Sequence, residues 1–291
     1  MSLSLDDALP ERRAARRAFD RARGFESACF IHDEARARLD ERLDLVRLRP
    51  KVAVDLGCAT GRGAAVLAAR YPSARVLAVD SSAGMLRAAA ASAAEVVRVV
   101  GGDATALPLR GGSVDLVLAN LVLPWCRPDR LFAEAARVLT DGGALLFATL
   151  GPDSLQEIRA AFAAVDDRIH VHAAFDMHDL GDLAMAAGLA EPVLDVDRIA
   201  VTYADVAGLV RDLRSVGAVN VAGGRRRGLT GRRRWGRFVE RLPRGADGRF
   251  AVTVELILGQ AWGRGSVARA KLPAGEIRVP VSRLKRPSES T

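Results

Sequence analysis

The spacing of apolar residues along the chain changes near residue 50. Between residues 11 and 48, apolar side chains recur three and four residues apart, as at Ala35, Leu39 and Leu43, and this spacing predicts helices with one buried face. Pro50 ends the segment. Short apolar runs without polar alternation then begin, and such runs are typical of parallel strands that are buried on both faces.

Strand-like and helical patterns alternate through residues 51–150. The predicted strands are 52–56, 76–80, 96–100, 114–120 and 144–150, and the predicted helices lie at about 61–70, from about 83, and at about 129–139. Parallel neighbours in a sheet need a crossover connection, which is usually a helix. The alternation therefore predicts an α/β fold with a doubly wound, mostly parallel sheet.

The pattern is less regular after residue 150. Residues 151–262 predict further helices, a basic loop and the final strands of the sheet, at 193–203 and 250–259. Residues 263–291 are rich in Gly, Pro and Arg, and we expect a flexible tail there. The predicted divisions are therefore an N-terminal helical segment (1–50), a ligand-binding core (51–150), a substrate-side region (151–262) and the tail (263–291).

Two predicted strands end in an acid. Asp55 closes the first strand and precedes a glycine-rich turn, and Asp80 closes the second strand and precedes Ser81. In an open parallel sheet, small ligands bind beyond the carboxyl ends of the strands, near the point where the strand order reverses. We therefore expect both acids to face one ligand.

The glycine-rich turn lacks the spacing of a dinucleotide-binding loop. It reads GCATG, with Gly57, Ala59 and Gly61, whereas a dinucleotide site needs G-x-G-x-x-G. Asp55 directly before the turn is an unfavourable neighbour for phosphates but a favourable one for a cation. Asp80 can accept hydrogen bonds from both hydroxyls of a ribose. A ligand with a ribose, a positive end and no phosphate is S-adenosylmethionine.

Two later strand ends fit the same ligand. Asp103 follows the third strand, where its carboxylate can accept a hydrogen bond from the adenine amino group while the Ala104 amide serves a ring nitrogen. Asn120 ends the fourth strand, beside the expected position of the methyl group. One such acid often only caps a helix, but polar residues at four successive strand ends favour a cofactor site.

Residues 50–150 resemble the class I S-adenosylmethionine-dependent methyltransferases. Those enzymes commonly have D-x-G-C-G-T-G in the first turn, and here the motif is DLGCATG, with Ala59 where glycine is usual. The resemblance implies a Rossmann-like, seven-stranded sheet with an N-terminal helical segment and a helical cap, and S-adenosyl-L-methionine as the cofactor. If position 59 needs a positive φ, alanine is strained there.

A narrower resemblance runs from about Phe19 to Trp262. The stretches NLVLPWC, AAFDMHDLGDLAMAAGL and GGRRRGLTGRRR are similar to those of the malonyl-acyl-carrier-protein O-methyltransferases of biotin synthesis. The chain departs from that family at Phe25 and Glu26, where a Tyr-Asp pair is usual, and at Gln260, where histidine is usual. The resemblance implies methyl transfer to the free carboxylate of malonyl-acyl carrier protein. No general base is needed, because a carboxylate with a pKa of about 4 is already ionised.

The acceptor carboxylate needs a cationic holder and a pocket wall. Arg211 and Arg214 lie three residues apart on one predicted helix face and could form an arginine fork, with two solvated surface arginines as the alternative. Trp125 follows the fourth strand, where it either walls the substrate pocket or packs in the core. His170 and His172 are expected to be structural, because the sequence shows no third metal ligand at suitable spacing.

The positive charge is concentrated in one stretch. Residues 225–244 hold nine arginines and one acid, a surplus of eight that equals the formal net charge of the whole chain, +8. Acyl carrier proteins are acidic, so we expect Arg232, Arg233 and Arg234 to dock the malonyl form of such a carrier. A solvated basic loop is the alternative, and nucleic-acid binding is disfavoured because few aromatic residues interrupt the arginines.

Composition narrows the remaining classes. A chain of 291 residues that is 49% hydrophobic can bury a full core. The chain has neither an apolar leader nor a run of about 18 apolar residues, so we expect a cytoplasmic protein. Its three cysteines lack C-x-x-C spacing, which argues against a zinc site. The alternatives left open are a small-molecule or quinone-precursor methyltransferase, a non-methylating relative like the complex I assembly factors, and an RNA-binding methyltransferase-like module.

Overall fold

One seven-stranded sheet organises residues 5–264, which are the residues that this computed structural model describes. The strands are β1 (Val52–Leu56), β2 (Arg75–Asp80), β3 (Val97–Gly101), β4 (Val114–Asn120), β5 (Leu139–Leu150), β6 (Ala190–Tyr203) and β7 (Phe250–Trp262). Their spatial order is β3-β2-β1-β4-β5-β7-β6, and β7 runs antiparallel to both of its neighbours. The predicted doubly wound, mostly parallel sheet is confirmed.

The described residues also form eleven α-helices. They are α1 (Leu5–Ala8), α2 (Arg12–Asp20), α3 (Phe25–Ala28), α4 (Phe30–Leu45), α5 (Arg62–Arg70), α6 (Ala83–Ser92), α7 (Pro128–Val138), α8 (Gln156–Ala163), α9 (Met177–Ala186), α10 (Val206–Ser215) and α11 (Arg232–Arg241). A short 3-10 helix, Leu123–Trp125, follows β4. Within residues 5–264, none of the helices is long and apolar enough to cross a membrane.

Both faces of the sheet are buried by helices. On one face, Leu39 of α4 and Leu67 of α5 are fully buried together with Leu116 of β4. On the other face, the rings of Phe132 of α7 and Phe147 of β5 lie 5.3 Å apart. Successive strand residues point to opposite faces, so a strand with helices on both sides must be apolar at nearly every position. This burial explains the unbroken apolar runs in the sequence.

The strand order reverses between β1 and β4. The chain runs from β1 outward to β2 and β3 and then returns to β4 on the other side of β1. Asp55 of β1 lies opposite Leu118, two residues before Asn120, and Asp80 of β2 lies opposite Gly101 of β3. The polar strand ends therefore meet at one edge of the sheet, above the reversal, where sheets of this kind bind ligands.

A separate apolar cluster beyond β5 anchors a helix that the sequence pattern did not predict. Residues 232–241 of the expected basic loop form α11 instead. Phe238 of α11 is 2% exposed and packs with Ile158 of α8 and Leu209 of α10. One buried aromatic stripe is sufficient for a helix whose other faces are solvated. The predicted tail lies outside the described residues, except for Gly263 and Arg264.

Candidate cofactor and acceptor site

The turn after β1 contains three residues in the left-handed backbone region. φ is +70° at Gly57, +47° at Ala59 and +87° at Gly61. The amides of Gly57 and Cys58 both donate to the carbonyl of Val79 in β2, at 2.8 and 3.0 Å. An L residue in this region is strained by about 1–2 kcal/mol. The strain that a positive φ would impose on Ala59 is therefore present.

Asp55 is buried beneath this turn, with 2% of its surface exposed. Its carboxylate accepts the amide of Ala64 in the first turn of α5. An added Cβ at Gly63 would lie 2.7 Å from both carboxylate oxygens, so glycine at this position allows the helix to approach the acid. Burial raises the pKa of Asp55 to about 7, and Oδ2 has no hydrogen-bond partner. A cationic ligand at Oδ2 would favour the ionised form.

Four buried polar atoms without a partner converge on one small cavity beside Asp55. They are Nδ1 of His32, Oδ2 of Asp55, Oγ1 of Thr60 and Oδ1 of Asn120. Buried polar groups are nearly always paired in folded proteins, so this cluster indicates a polar ligand. Two acceptors beside a hydroxyl and an imidazole match a group that carries both an ammonium and a carboxylate. The set fits the methionyl end of S-adenosylmethionine.

Asp80 lies at the end of β2, on the other side of the turn. Its Oδ2 accepts the Ala59 amide at 3.0 Å, and its Oδ1 accepts the Ser82 amide at 2.8 Å. Each oxygen can accept a further hydrogen bond, so acceptor capacity remains for two ribose hydroxyls. Ser81, between Asp80 and Ser82 in the chain, is exposed. Asp80 thus also fixes the strained residue 59, which sequence reasoning missed.

Asp103 and Ala104 follow β3, at the position predicted for adenine. Oδ1 of Asp103 accepts the amide and the hydroxyl of Thr105, at 2.9 and 2.8 Å. Its Oδ2 is paired with Arg12 of α2, whose side chain is 68% exposed. An adenine amino group here would share the carboxylate with Arg12 or displace it. The role of Asp103 in adenine binding stays a prediction.

The N-terminal helices cover the cofactor cleft. Asp20 of α2 accepts the Ser82 hydroxyl at 2.7 Å and the Gly84 amide at 3.1 Å. Asn120 donates to the carbonyl of His32 in α4 at 2.9 Å, and this leaves its Oδ1 free to face the cavity. These contacts join residues that are 62 and 88 positions apart, so the local spacing of apolar residues holds no signal of them.

A larger cavity of about 350 Å³ lies beside Trp125 and has mainly apolar walls from α8, α10 and α11. Trp125 packs edge to face against Phe19 of α2 and against His172, with ring centroids 5.0 and 5.3 Å away. Arg214 lines this cavity and Arg211, almost one turn earlier on α10, does not, although both residues are exposed. Arg214 and Trp125 therefore lie at the pocket, and the pairing of Arg211 with Arg214 on the acceptor stays a prediction.

His170 and His172 lie in an irregular segment rather than on a strand. Nε2 of His170 is 2.8 Å from Oδ1 of Asp166. Nε2 of His172 accepts the amide of Val221 at 2.8 Å. Among the described residues, no group of three His, Cys, Asp or Glu side chains is arranged to hold a metal ion.

The arginine stretch divides into parts with different partners. Arg225 and Arg227 both pair with Glu11, at 3.0 and 2.6 Å, and Arg225 also donates to the carbonyl of Ala222. The guanidinium carbon of Arg244 lies 4.0 Å from the ring centroid of Phe250. The Arg225 side chain is only 18% exposed and is withdrawn from the surface, whereas Arg227 stays 69% exposed, so only part of the charge is buried in contacts.

The predicted docking residues begin α11 and do not all face the same way. Arg232 and Arg233 are exposed, and within residues 5–264 neither has an ion pair. Arg234 is 37% exposed and lies 4.0 Å from Asp166. Trp235 lines the large cavity and is also 37% exposed. The helix therefore presents a basic outer face and an aromatic inner face.

Known proteins match this chain over the core and over its whole length. Residues 54–147 match the methyltransferase domain family. The chain is 41% identical to the malonyl-acyl-carrier-protein O-methyltransferase of Methylovorus sp. (strain MP688), over 99% of this chain and all of that protein. It is 42% identical to the enzyme of the same name from Laribacter hongkongensis, over 89% of this chain and 92% of that one.

The chain belongs to the malonyl-acyl-carrier-protein O-methyltransferase family. The fold agrees: a putative methyltransferase from Bacillus halodurans, 18% identical, superposes with a TM-score of 0.55 over 78% of this chain and 99% of that chain. The family resemblance predicted from the sequence is confirmed. So is the prediction of an S-adenosylmethionine-dependent methyltransferase, and the unpartnered atoms around Asp55 suit that cofactor.

Replacing Ala59 by glycine should stabilise the protein. Glycine adopts a φ of +47° without the steric cost that alanine bears, so we expect the free energy of unfolding to rise by about 1 kcal/mol. Ala65→Gly is the matched control, because Ala65 is exposed within α5 and the same change there should cost about 1 kcal/mol. Urea unfolding measures both. Equal destabilisation by the two changes would contradict the strain.

Cofactor binding should release a proton from Asp55. The carboxyl has a pKa of about 7 in the free protein, and a bound cation lowers that pKa by favouring the ionised form. Affinity should therefore rise as the pH increases from about 5.5 to about 7 and level off above that. Calorimetry in buffers of different ionisation enthalpy measures the release. Asp55→Asn should bind weakly at every pH, and a wild-type affinity that is flat or falls over this range would refute the assignment.

Proposed function

We propose that this enzyme methylates the free carboxylate of a malonyl group that is carried on an acyl carrier protein. The relatives from Methylovorus and Laribacter bear this activity in their names. The observation that carries the proposal is the mainly apolar cavity beside Trp125, with Arg214 on its wall. Such a cavity suits a small anionic group at the end of an uncharged arm.

The chemistry requires positioning rather than proton transfer. A carboxylate with a pKa of about 4 is ionised at neutral pH. When bound, S-adenosylmethionine supplies a methyl group that a positive sulfur makes electrophilic. Transfer of this methyl group to a carboxylate oxygen would leave the electron pair of the S–C bond on sulfur and would move no proton. The chain's part is to orient the carboxylate and to remove water from it.

Arg214 is the guanidinium best placed to hold the carboxylate. Arg159 also lines the cavity, but its two terminal nitrogens already donate to the carbonyls of Pro152 and Ser154, at 3.0 and 3.3 Å. Arg214 has no ion pair among the described residues. A planar guanidinium can bind both carboxylate oxygens at once, which fixes the direction of the nucleophile as well as its position.

The outer face of α11 is the surface on which we place the carrier protein. Arg232, Arg233 and Arg237 are exposed there, and Trp235 and Phe238 on the inner face line the cavity. A basic surface at the cavity entrance attracts an acidic carrier and brings its arm to the opening. The cytoplasm, predicted from the sequence, is the compartment in which we place this encounter.

Label transfer from S-adenosylmethionine tests the function. Malonyl carrier protein should acquire the label as a base-labile methyl ester. Malonyl-coenzyme A should react more slowly, and RNA should stay unlabelled. Arg214→Ala should lower kcat/KM by about 10- to 100-fold, since it removes a charged hydrogen bond. Arg211→Ala is the matched control and should keep wild-type activity. Label in RNA alone, or none in the malonyl carrier, would refute the function.

The docking surface makes its own prediction. Arg232→Ala combined with Arg233→Ala should raise KM for malonyl carrier protein several-fold with little change in kcat, because long-range charge acts mainly on encounter. KM for malonyl-coenzyme A should rise less. Arg47→Ala with Arg49→Ala is the control that removes the same charge. Both arginines are exposed and precede β1, at the amino-terminal end of that strand, whereas the ligand site lies at the carboxyl ends of the strands. An equal effect of both pairs would show that only net charge matters.

A further inference from the structure

The ring of His172 is fixed in the acceptor cavity by two independent contacts. Its Nε2 accepts the amide of Val221 at 2.8 Å, and its ring stands edge to face against Trp125 at an angle of 88°. Through Trp125, the stack continues to Phe19 on the N-terminal cover. His172 therefore lies on the wall of the acceptor cavity with one orientation of its ring, and Trp125 connects it to helix α2 of the N-terminal cover.

The contact with Val221 determines which nitrogen carries the proton. A nitrogen that accepts a hydrogen bond has no proton of its own, and a neutral imidazole has one N–H, which must then be on Nδ1. Burial lowers the pKa of His172 to about 4, so the ring is neutral at physiological pH. His172 thus presents a neutral N–H donor from Nδ1.

This donor has no partner within residues 5–264, yet it is not sealed off. Nδ1 of His32 is both buried and unpartnered. Nδ1 of His172 is also unpartnered, but it is accessible and belongs to a residue on the cavity wall. An N–H group without a protein acceptor, fixed at the wall of a cavity, needs an acceptor from water or from a ligand.

Most other polar side chains on the cavity wall are engaged by the protein. The engaged ones are Ser154, Arg159, His170 and Asn220. Apart from the indole N–H groups of two tryptophans, this leaves Arg214 and His172 to contact an acceptor molecule.

We infer that His172 is a positioning residue, which donates a hydrogen bond from Nδ1 to one oxygen of the acceptor carboxylate. The inference rests on the proposed function and adds a second contact to the carboxylate. His172 is a neutral donor, whereas Arg214 is a charged one. A neutral donor fixes the direction of the carboxylate without adding a positive charge, and so it leaves the nucleophilic oxygen its electron density.

Two substitutions separate this role from a structural one. Asn places an amide N–H near the position of Nδ1, and Gln places an amide oxygen near the position of Nε2. His172→Asn therefore keeps the donor to the carboxylate and loses the acceptor for Val221, while His172→Gln does the reverse. We expect His172→Gln to lower kcat/KM about tenfold or more, mostly through KM, and His172→Asn to stay within about threefold of wild type.

Thermal unfolding should rank the two variants the other way. His172→Asn leaves the Val221 amide without its partner and should have the lower Tm, although it is the more active variant. Calorimetry of malonyl-pantetheine in the presence of S-adenosylhomocysteine should show the binding loss in His172→Gln without turnover. If activity follows Tm, or if both variants lose activity equally, His172 is structural only. A wild-type enzyme that does not label malonyl carrier protein would instead refute the proposed function, and this inference with it.

Discussion

The hydrogen bond between the carboxylate of Asp55 and the amide of Ala64 ties β1 to α5 at the point where the sheet reverses. It requires glycine at position 63, because a Cβ there would lie 2.7 Å from the carboxylate. The chain must connect the two elements within a few residues, and left-handed backbone at Gly57 and Gly61 makes this possible. A buried acid with a raised pKa destabilises the free protein, and a cationic ligand offsets that cost. Fold and cofactor binding are coupled through this side chain.

The sheet and the cofactor edge could be predicted because their signals are local. Unbroken apolar runs identify strands that are covered on both faces, and the residue that ends each run must lie at the carboxyl edge. Asp55, Asp80 and Asn120 needed no further information to be placed together. The motif also identified Ala59 as a residue that would be strained at a positive φ. Only the structure supplies that φ, which is +47°.

The contacts that the N-terminal helices make over the cofactor cleft, the helix α11 and the second role of Asp80 could not be predicted, because they depend on contacts between distant parts of the chain. Arginines dominate the composition around α11, and a single buried ring, Phe238, outweighs that signal once α8 and α10 are in place. Local spacing also cannot show which arginines are paired within the fold and which are exposed without a partner. Arg225 is withdrawn from the surface by Glu11, a partner 214 residues away. His172 was expected to be structural because the sequence shows no third metal ligand. The contact that identifies its free nitrogen is with Val221, 49 residues away.

The two halves of the site treat charge in opposite ways. On the cofactor side, the unpaired oxygens of Asp55 and Asn120 face a position suited to a cation. On the acceptor side, the wall is mainly apolar, and the available groups of Arg214 and His172 are donors. Methyl transfer removes one positive and one negative charge together, so the transition state is less charged than the bound ions. An apolar wall favours that state, whereas further arginines in the pocket would stabilise the carboxylate before it reacts and slow the transfer. The strongly basic face of α11 can therefore serve encounter only if it is turned away from the cavity, which is how the helix is oriented.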